Sequence, residues 1–390
     1  MVFKSIFIPS FVFTIVMFLI GGPGNSLVFY IYFKKWRKTT ARIFILALAG
    51  FDMINCYVTM PMEMVVLHNI VVFDHGPVCK IFRYITFMMN NGSSFVLSGI
   101  AIDRYIRICK PLRKQLRPDK AKIVIVGALV LSVVFAWPSL LLYGTSTVPM
   151  PVPGKEYICL IGKTCLYEDE FLHTRYPLQY NLVLLLGNII IDTCLIIAYS
   201  LIGYQVIRRS TDIDASPSKK IRKASTSTLS TDDNIINKVS SPLNSTQGQG
   251  DHDNEIEMNN SSGNTKHMPP RQISSLSMKR GTFRQRSLSV ASIETRKAQM
   301  HKTTLMLFMV TFLFMASFVP YCIIVIIRAV DIGYYPNLSS NGKAVYNIFL
   351  RSYMLSSALN PVIYCFLSVQ FRKECSDVFK QFKRIFSKNQ

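Results

Sequence analysis

Asp103-Arg104-Tyr105 sits where an apolar stretch gives way to a basic one, in LSGIAIDRYIRICKPLRKQLRPDK, Leu97 to Lys120. A guanidinium at the edge of an apolar segment is costly unless it is paired or reaches the interface. Asp103 is its immediate neighbour. A plain belt of positive charge explains Arg107 and Lys110, but not the adjacent carboxylate. The pair reads as a breakable ion pair, which holds one helix arrangement and frees Arg104 in another. A second carboxylate, Asp52 in LALAGFDMINC, has no basic neighbour in its own stretch. Asn25, Ser93, Ser356, Ser357 and Asn360 are candidate partners if their stretches meet. Together they would make an oxygen-rich pocket for a small cation such as Na⁺. Near the C-terminus, SSALNPVIYCFLSVQFRKE brings an amide, a kink and a phenol together in Asn360, Pro361 and Tyr364.

Helices that cross a bilayer must position these residues. Half of the 390 residues are hydrophobic, 17% are charged, and the formal net charge is +22. Nucleic-acid binding would need that charge spread over a folded basic face, whereas here it lies between long apolar runs. Seven runs are legible, roughly 5–33, 43–69, 78–108, 121–143, 179–208, 299–328 and 344–367. Each is about 20 residues or longer, enough for a hydrocarbon core of roughly 30 Å. The predicted fold is an all-α membrane protein, a seven-transmembrane helix bundle followed by a short amphipathic helix 8. Residues 1–4 are expected as an extracellular N-terminus, 5–208 as helices one to five, and 297–367 as helices six and seven. Residues 209–296 are expected as a disordered third cytoplasmic loop, and 368–390 as helix 8 and tail. Pro23, Pro61, Pro138, Pro320 and Pro361 predict kinks.

Lys and Arg crowd the first and third connections and the tail, while Asp74, Glu168, Asp169, Glu170 and Asp331 lie in the even-numbered ones. That asymmetry places the N-terminus outside and the C-terminus in the cytoplasm of a multi-pass plasma-membrane protein. The loop after run five is polar and almost free of aromatics, so it cannot bury enough apolar surface to fold alone. It holds RKAS and RQRSLS, where Ser225 and Ser289 are candidate kinase sites. Asn337-Leu338-Ser339 is an external glycosylation sequon; Asn244 and Asn260 match the pattern but face the cytoplasm. In the tail, Phe371, Cys375, Val378, Phe379, Phe382, Ile385 and Phe386 follow helical spacing with Lys and Arg on the other face. That is an interfacial helix on the inner leaflet, with Cys375 a candidate for palmitoylation.

The chain resembles a rhodopsin-like (class A) G-protein-coupled receptor. The resemblance rests on Gly24-Asn25, Leu48-Ala49-Gly50-Phe51-Asp52, Cys79, Asp103-Arg104-Tyr105 and Asn360-Pro361-Val362-Ile363-Tyr364, with Cys79 preceding Arg104 by 25 residues. It covers all seven runs and the tail, and among subgroups it is most similar to the neuropeptide receptors. It implies a disulfide from Cys79 to the loop after run four, with Cys165 favoured over Cys159. It implies an extracellular ligand, a heterotrimeric G protein, and arrestin and receptor kinases as partners; no enzyme activity; and no cofactor beyond an allosteric Na⁺. It also implies a two-state switch. Run six would swing outward below Pro320, Arg104 would leave Asp103, and Tyr199 and Tyr364 would close in on Arg104.

Several positions depart from the family. Phe318 stands where the toggle Trp is usual, with Phe314 one turn below, and Ile191 replaces the usual proline of the fifth helix. The foot of run six, RKAQMHKTT, offers Arg104 no acid. The resting lock is therefore expected to be weak, and an acid at Met300 would lower basal signalling. Met354 stands where a retinal protein needs Lys, and Thr86 where an amine receptor needs Asp. The upper bundle carries Glu63, Arg83, Arg328 and Arg351 with Tyr84, Phe87 and Tyr321, which suits a peptide with charged or amidated ends. A receptor for a lipid or other small molecule is the alternative. A transporter is the more distant one, since no internal repeat is visible. The six histidines lie at run ends or in loops and do not cluster as a metal hydrolase would require.

Overall fold

Backbone groups within a bilayer find no water, so apolar runs satisfy themselves as helices. The computed structural model describes residues 2–34, 39–151, 159–215, 275–330 and 334–388. It falls into two units, Met1–Val206 with Gln299–Gln390, and Ile207–Ala298. In the chain's first half, α1 (Val2–Lys34) is followed by α2 (Thr40–Ile54), a wide π-turn at Asn55–Thr59, and α3 (Met60–His68). Next come α4 (Gly76–Cys109), α5 (Pro118–Ala136), the short α6 (Ser139–Leu142), and strands β1 (Tyr143–Pro151) and β2 (Cys159–Tyr167). After them run α7 (Asp169–Leu172), α8 (Tyr176–Ala215), α9 (Ser275–Val330) and α10 (Tyr334–Asn337). The chain closes with α11 (Ser340–Phe349), α12 (Met354–Leu367) and α13 (Val369–Lys388).

Among the described residues, six stretches are long and apolar enough to cross a membrane, or seven if the bent pair at the end of the chain is one span: Ile6–Lys34, Thr40–His68, Gly76–Cys109, Pro118–Leu142, Tyr176–Arg209 and His301–Arg328 are the six. The seventh run is broken into α11 and α12 by a turn at 350–353. After Leu367 the chain bends by 100° into α13.

Local chemistry explains the breaks and the ends. Pro61 has no N–H, and its ring crowds the carbonyl four residues back. The helix widens just before it, and the Met60 amide donates to the Asn55 carbonyl. Thr39 caps α2 by accepting from the Arg42 amide, while the Arg42 guanidinium donates to the last carbonyls of α1, Tyr32 O at 2.6 Å and Phe33 O at 2.7 Å. A residue of the basic connection thus also closes a helix end. Gly24 lets α1 meet α12: a Cβ there would lie 2.8 Å from the Pro361 ring.

Four apolar clusters are found among the described residues, and two of them bear on the sites. The larger runs from Val28 and Phe44 through Met89, Leu97 and Val310 to Tyr364 and Phe371. The outer one gathers Phe73, Phe82, Leu142, Tyr143, Tyr167 and Tyr180 around Cys79 and Cys165. Those two cysteines are disulfide-bonded, which ties β2 to the head of α4. Replacing Cys165 by Ala is expected to lower stability by roughly 2–5 kcal/mol. A reduced unfolding midpoint in detergent would register it; an unchanged midpoint would refute the structural role.

The structure amends several expectations. The loop after run four is an antiparallel hairpin, pairing Tyr143 with Tyr167 through Pro151 with Cys159. Helix α1 begins at Val2, within the segment expected as an extracellular N-terminus. The expected disordered segment 209–296 is helical at both flanks, to Ala215 and from Ser275. The reason is local: 275–298 contains no proline and many good helix formers, and 209–215 lies ahead of the first proline of the segment, Pro217. Ser289 lies within α9, whereas Ser225, Asn244 and Asn260 lie outside the described residues.

Candidate functional site

Toward the C-terminal end of α4, Asp103 and Arg104 are both buried. Arg104 Nη2 lies 3.2 Å from Asp103 Oδ2. Arg107 competes for the same carboxylate, its Nε standing 3.0 Å from both oxygens. Arg107 Nη2 also donates to Thr40 Oγ1 at 2.7 Å and Leu116 O at 3.1 Å. Asp103 is therefore shared, and Arg107 ties α4 to α2 and to the following connection. Its i,i+4 spacing from Asp103 is the signal that finds it. Arg104 keeps a buried Nε with no hydrogen-bond partner among the described residues. Tyr105 takes the Lys110 ammonium over its ring at 5.7 Å.

Neither expected tyrosine is bonded to Arg104. The Tyr199 hydroxyl lies 3.1 Å from Thr311 Oγ1 of α9. Tyr364 packs between the rings of Tyr32 and Phe371, each 6.2 Å away, and its hydroxyl has no partner among the described residues. Higher in α9, Phe314 and Phe318 stack at 4.6 Å, and Phe318 meets Tyr321 and Tyr353 at 6.2 Å. The Ser352 hydroxyl donates to Ser317 O at 2.7 Å, joining the broken seventh span to α9 three residues before Pro320.

At mid-bundle, Asn360 Nδ2 donates to Asp52 Oδ2 at 2.8 Å. Asn25 Nδ2 donates to Ser357 O at 2.7 Å, and Asn55 Nδ2 to Ser357 Oγ at 3.1 Å. Sequence alone does not single out Asn55, although it lies three residues beyond Asp52. Ser356 is turned aside, its hydroxyl donating to Tyr353 O at 2.7 Å. The Ser93 hydroxyl, Asn25 Oδ1 and Asn360 Oδ1 are buried without hydrogen-bond partners among the described residues. Asp192, in α8, is a further intramembrane carboxylate that the motifs pass over; its Oδ1 is likewise without a partner among the described residues. An acid within an apolar span is itself the signal.

At the outer end, Glu63 is 2% exposed and bound by two arginines. Arg351 approaches Oε1 with Nη2 at 2.7 Å and Nε at 2.9 Å, and Arg83 approaches Oε2 at 3.3 Å. They line a cavity of about 960 Å³ with Thr86, Phe87, Tyr321 and Arg328. The Thr86 hydroxyl turns back to Phe82 O at 2.9 Å. Phe87 packs against Tyr143 and Tyr180, each at 5.6 Å, and Arg328 lies 5.8 Å above the Tyr167 ring. The hairpin forms a wall of this cavity and is pinned by Lys163 on Asp74 at 2.7 Å and Lys80 on Glu168 at 2.8 Å. Bonds from the Thr147 amide and hydroxyl hold the Asp169 carboxyl below the usual carboxylate range. Asn337 is exposed beside Ser339, which caps α11.

The arrangement has an outer cavity, a polar centre and an inner ion-paired node, all built on the same helices. Residues 24–364 match the family described as 7 transmembrane receptor (rhodopsin family). The cholecystokinin receptor type A of Cavia porcellus is 26% identical over 91% of this chain and 77% of its own length. The neuropeptide S receptor of Macaca mulatta is 31% identical over 35% of each chain. The neuromedin-U receptor 1 of Mus musculus is 27% identical over 43% of this chain and 41% of its own. With the match running from the α1–α12 contact at Gly24 to Tyr364 near the C-terminal end of the seventh span, this chain belongs to the rhodopsin family of seven-transmembrane receptors.

Proposed function

We propose that the chain is a plasma-membrane receptor that converts binding of an extracellular peptide into activation of a heterotrimeric G protein. The observation that carries this reading is one bundle with a charged outer cavity and a paired Arg104 at its foot. The cavity's volume is near the upper end for small-ligand pockets, and its relatives include receptors for cholecystokinin, neuropeptide S and neuromedin-U. The N-terminus is outside and the C-terminus inside, following the Lys and Arg asymmetry. Activation moves the lower part of α9 outward below Pro320. Arg104 then leaves Asp103, and Tyr199 and Tyr364 exchange their present neighbours for it. Peptide-driven nucleotide exchange on added G protein tests the reading; ligand-driven flux without exchange would replace it with a transporter.

Asp52 together with the Ser93 hydroxyl, Asn25 Oδ1 and Asn360 Oδ1, three buried oxygens without hydrogen-bond partners among the described residues, suits a small hard cation. Asp52, Ser93, Ser357 and Asn360 would hold Na⁺, with Asn25 fixing the Ser357 backbone. Bound charge there would favour the resting bundle. Agonist potency is expected to rise when NaCl is replaced by choline chloride, and Asp52→Asn is expected to abolish that difference. A salt effect that survives Asp52→Asn would rule the pocket out.

On the inner face, the Arg372 guanidinium donates to Cys365 O at 2.9 Å and Phe366 O at 2.7 Å, closing the end of α12. That bond fixes the turn into α13, whose Phe371 and Val378 pack into the bundle core while Phe379 is exposed. The exposed apolar side rests on the inner leaflet, with Lys and Arg at the headgroups. Phosphate on Ser225 or Ser289 would set negative charge beside a basic docking surface and recruit arrestin after receptor-kinase action.

A further inference from the structure

Among the described residues, the outer cavity is lined by Arg83, Arg175, Arg328 and Arg351 against a single carboxylate, Glu63. That carboxylate is already engaged, and unequally. Arg351 holds it with two donors at 2.7 and 2.9 Å, while Arg83 reaches it once, at 3.3 Å. Both line the cavity, but Arg351 is 6% exposed and Arg83 19%, so Arg83 is the more accessible of the two. One carboxylate neutralises one guanidinium, and the triad keeps a net positive charge in an apolar wall. Arg83 Nε is buried and has no acceptor among the described residues. Leaving such a donor unpaired is costly, the more so on a charged group. The guanidinium is held in position by the Phe82 ring at 4.7 Å and the Tyr143 ring at 5.9 Å.

These features select the ligand's charge. An ammonium group entering the cavity would face four guanidinium groups, and the one carboxylate is buried beneath two of them. A carboxylate would meet an under-used fork with fixed geometry, the arrangement in which Arg binds most strongly. We propose that this cavity takes ligands bearing a carboxylate, which docks on the Arg83 guanidinium while Glu63 and Arg351 hold that side of the wall in place. The inference rests on the reading of the chain as a peptide receptor and specifies the chemistry of the peptide. An Asp or Glu side chain and a free C-terminus both supply the group.

The test uses the full-length receptor in membranes with added G protein, read by nucleotide exchange. Three pools of short synthetic peptides of matched length and aromatic content are compared. One carries Asp and Glu with amidated ends, one is neutral with free C-terminal carboxylates, and one carries Lys and Arg with amidated ends. Activation is expected from one or both carboxylate pools, and which pool responds identifies the source of the group. Converting the carboxylate of the best agonist to its amide is expected to cost about 30-fold in potency, as for loss of a partner from a buried charge pair. Arg83→Gln, matched for surface expression, is expected to lose about as much and to stop distinguishing acid from amide. Activation by the basic pool alone overturns the inference and leaves the receptor reading standing. So does an acid preference that Arg83→Gln leaves undiminished. Silence from every pool overturns both.

Discussion

Asp103→Asn is expected to raise agonist-independent nucleotide exchange by about tenfold, within the usual span of coupling energies between receptor states. The substitution keeps the shape of the side chain and removes the charge that both Arg104 and Arg107 use. Arg104 is paired with Asp103 alone among the described residues, at 3.2 Å. Its release therefore favours whichever bundle arrangement offers the guanidinium new partners. Arg107→Ala separates two explanations. It leaves the Asp103–Arg104 pair in place while cutting the ties to Thr40 and Leu116. If the ion pair is the lock, this variant changes basal exchange much less than Asp103→Asn. If the two variants raise it equally, the restraint lies in how α4 is anchored to its neighbours.

Glu63→Gln should be strongly destabilising, costing roughly 3–5 kcal/mol as for breaking a buried ion pair. Two guanidinium groups would then share a wall with no counter-charge. The expected reading is a large fall in the unfolding midpoint of the detergent-solubilised receptor, partly recovered in the double variant Glu63→Gln with Arg351→Gln. Recovery follows because a fully neutral replacement of a buried pair is often close to neutral for stability. A midpoint for Glu63→Gln equal to that of the parent would mean that solvent or lipid headgroups already screen the triad.

Features set by local sequence were the easiest to read. Apolar length alone locates the seven runs, and Asp103 with Arg104 announces itself at the end of a run. Asp52 stands out because a lone acid in an apolar run is rare, and the bond from Asn360 matches one of the partners named for it. What escaped depends on structure that the sequence expresses weakly. The hairpin strands YGTSTVPMP and CLIGKTCLY lack the strict alternation that marks a half-buried strand. Arg107 is indistinguishable by type from the basic belt around it; only the neighbouring Thr40 and the Leu116 carbonyl make it a tie. The pairing of Glu63 with Arg351 joins residues 288 apart, and no local spacing foretells it. The Ser352 latch depends on the turn at 350–353, which has neither Gly nor Pro to mark it.

The wide turn at Asn55–Thr59 divides its span into two independently phased segments. Shortening it by a single residue would restore ordinary pitch and rotate everything above by roughly 100°, one residue's share of a 3.6-residue turn. Asp52 and Asn55 would keep their azimuth, whereas Glu63 would swing away from both guanidinium groups. A one-codon deletion there would thus break the Glu63 triad from a distance while leaving the Asp52 side of the span in phase, and natural length variation at this spot would re-orient one end of that span alone.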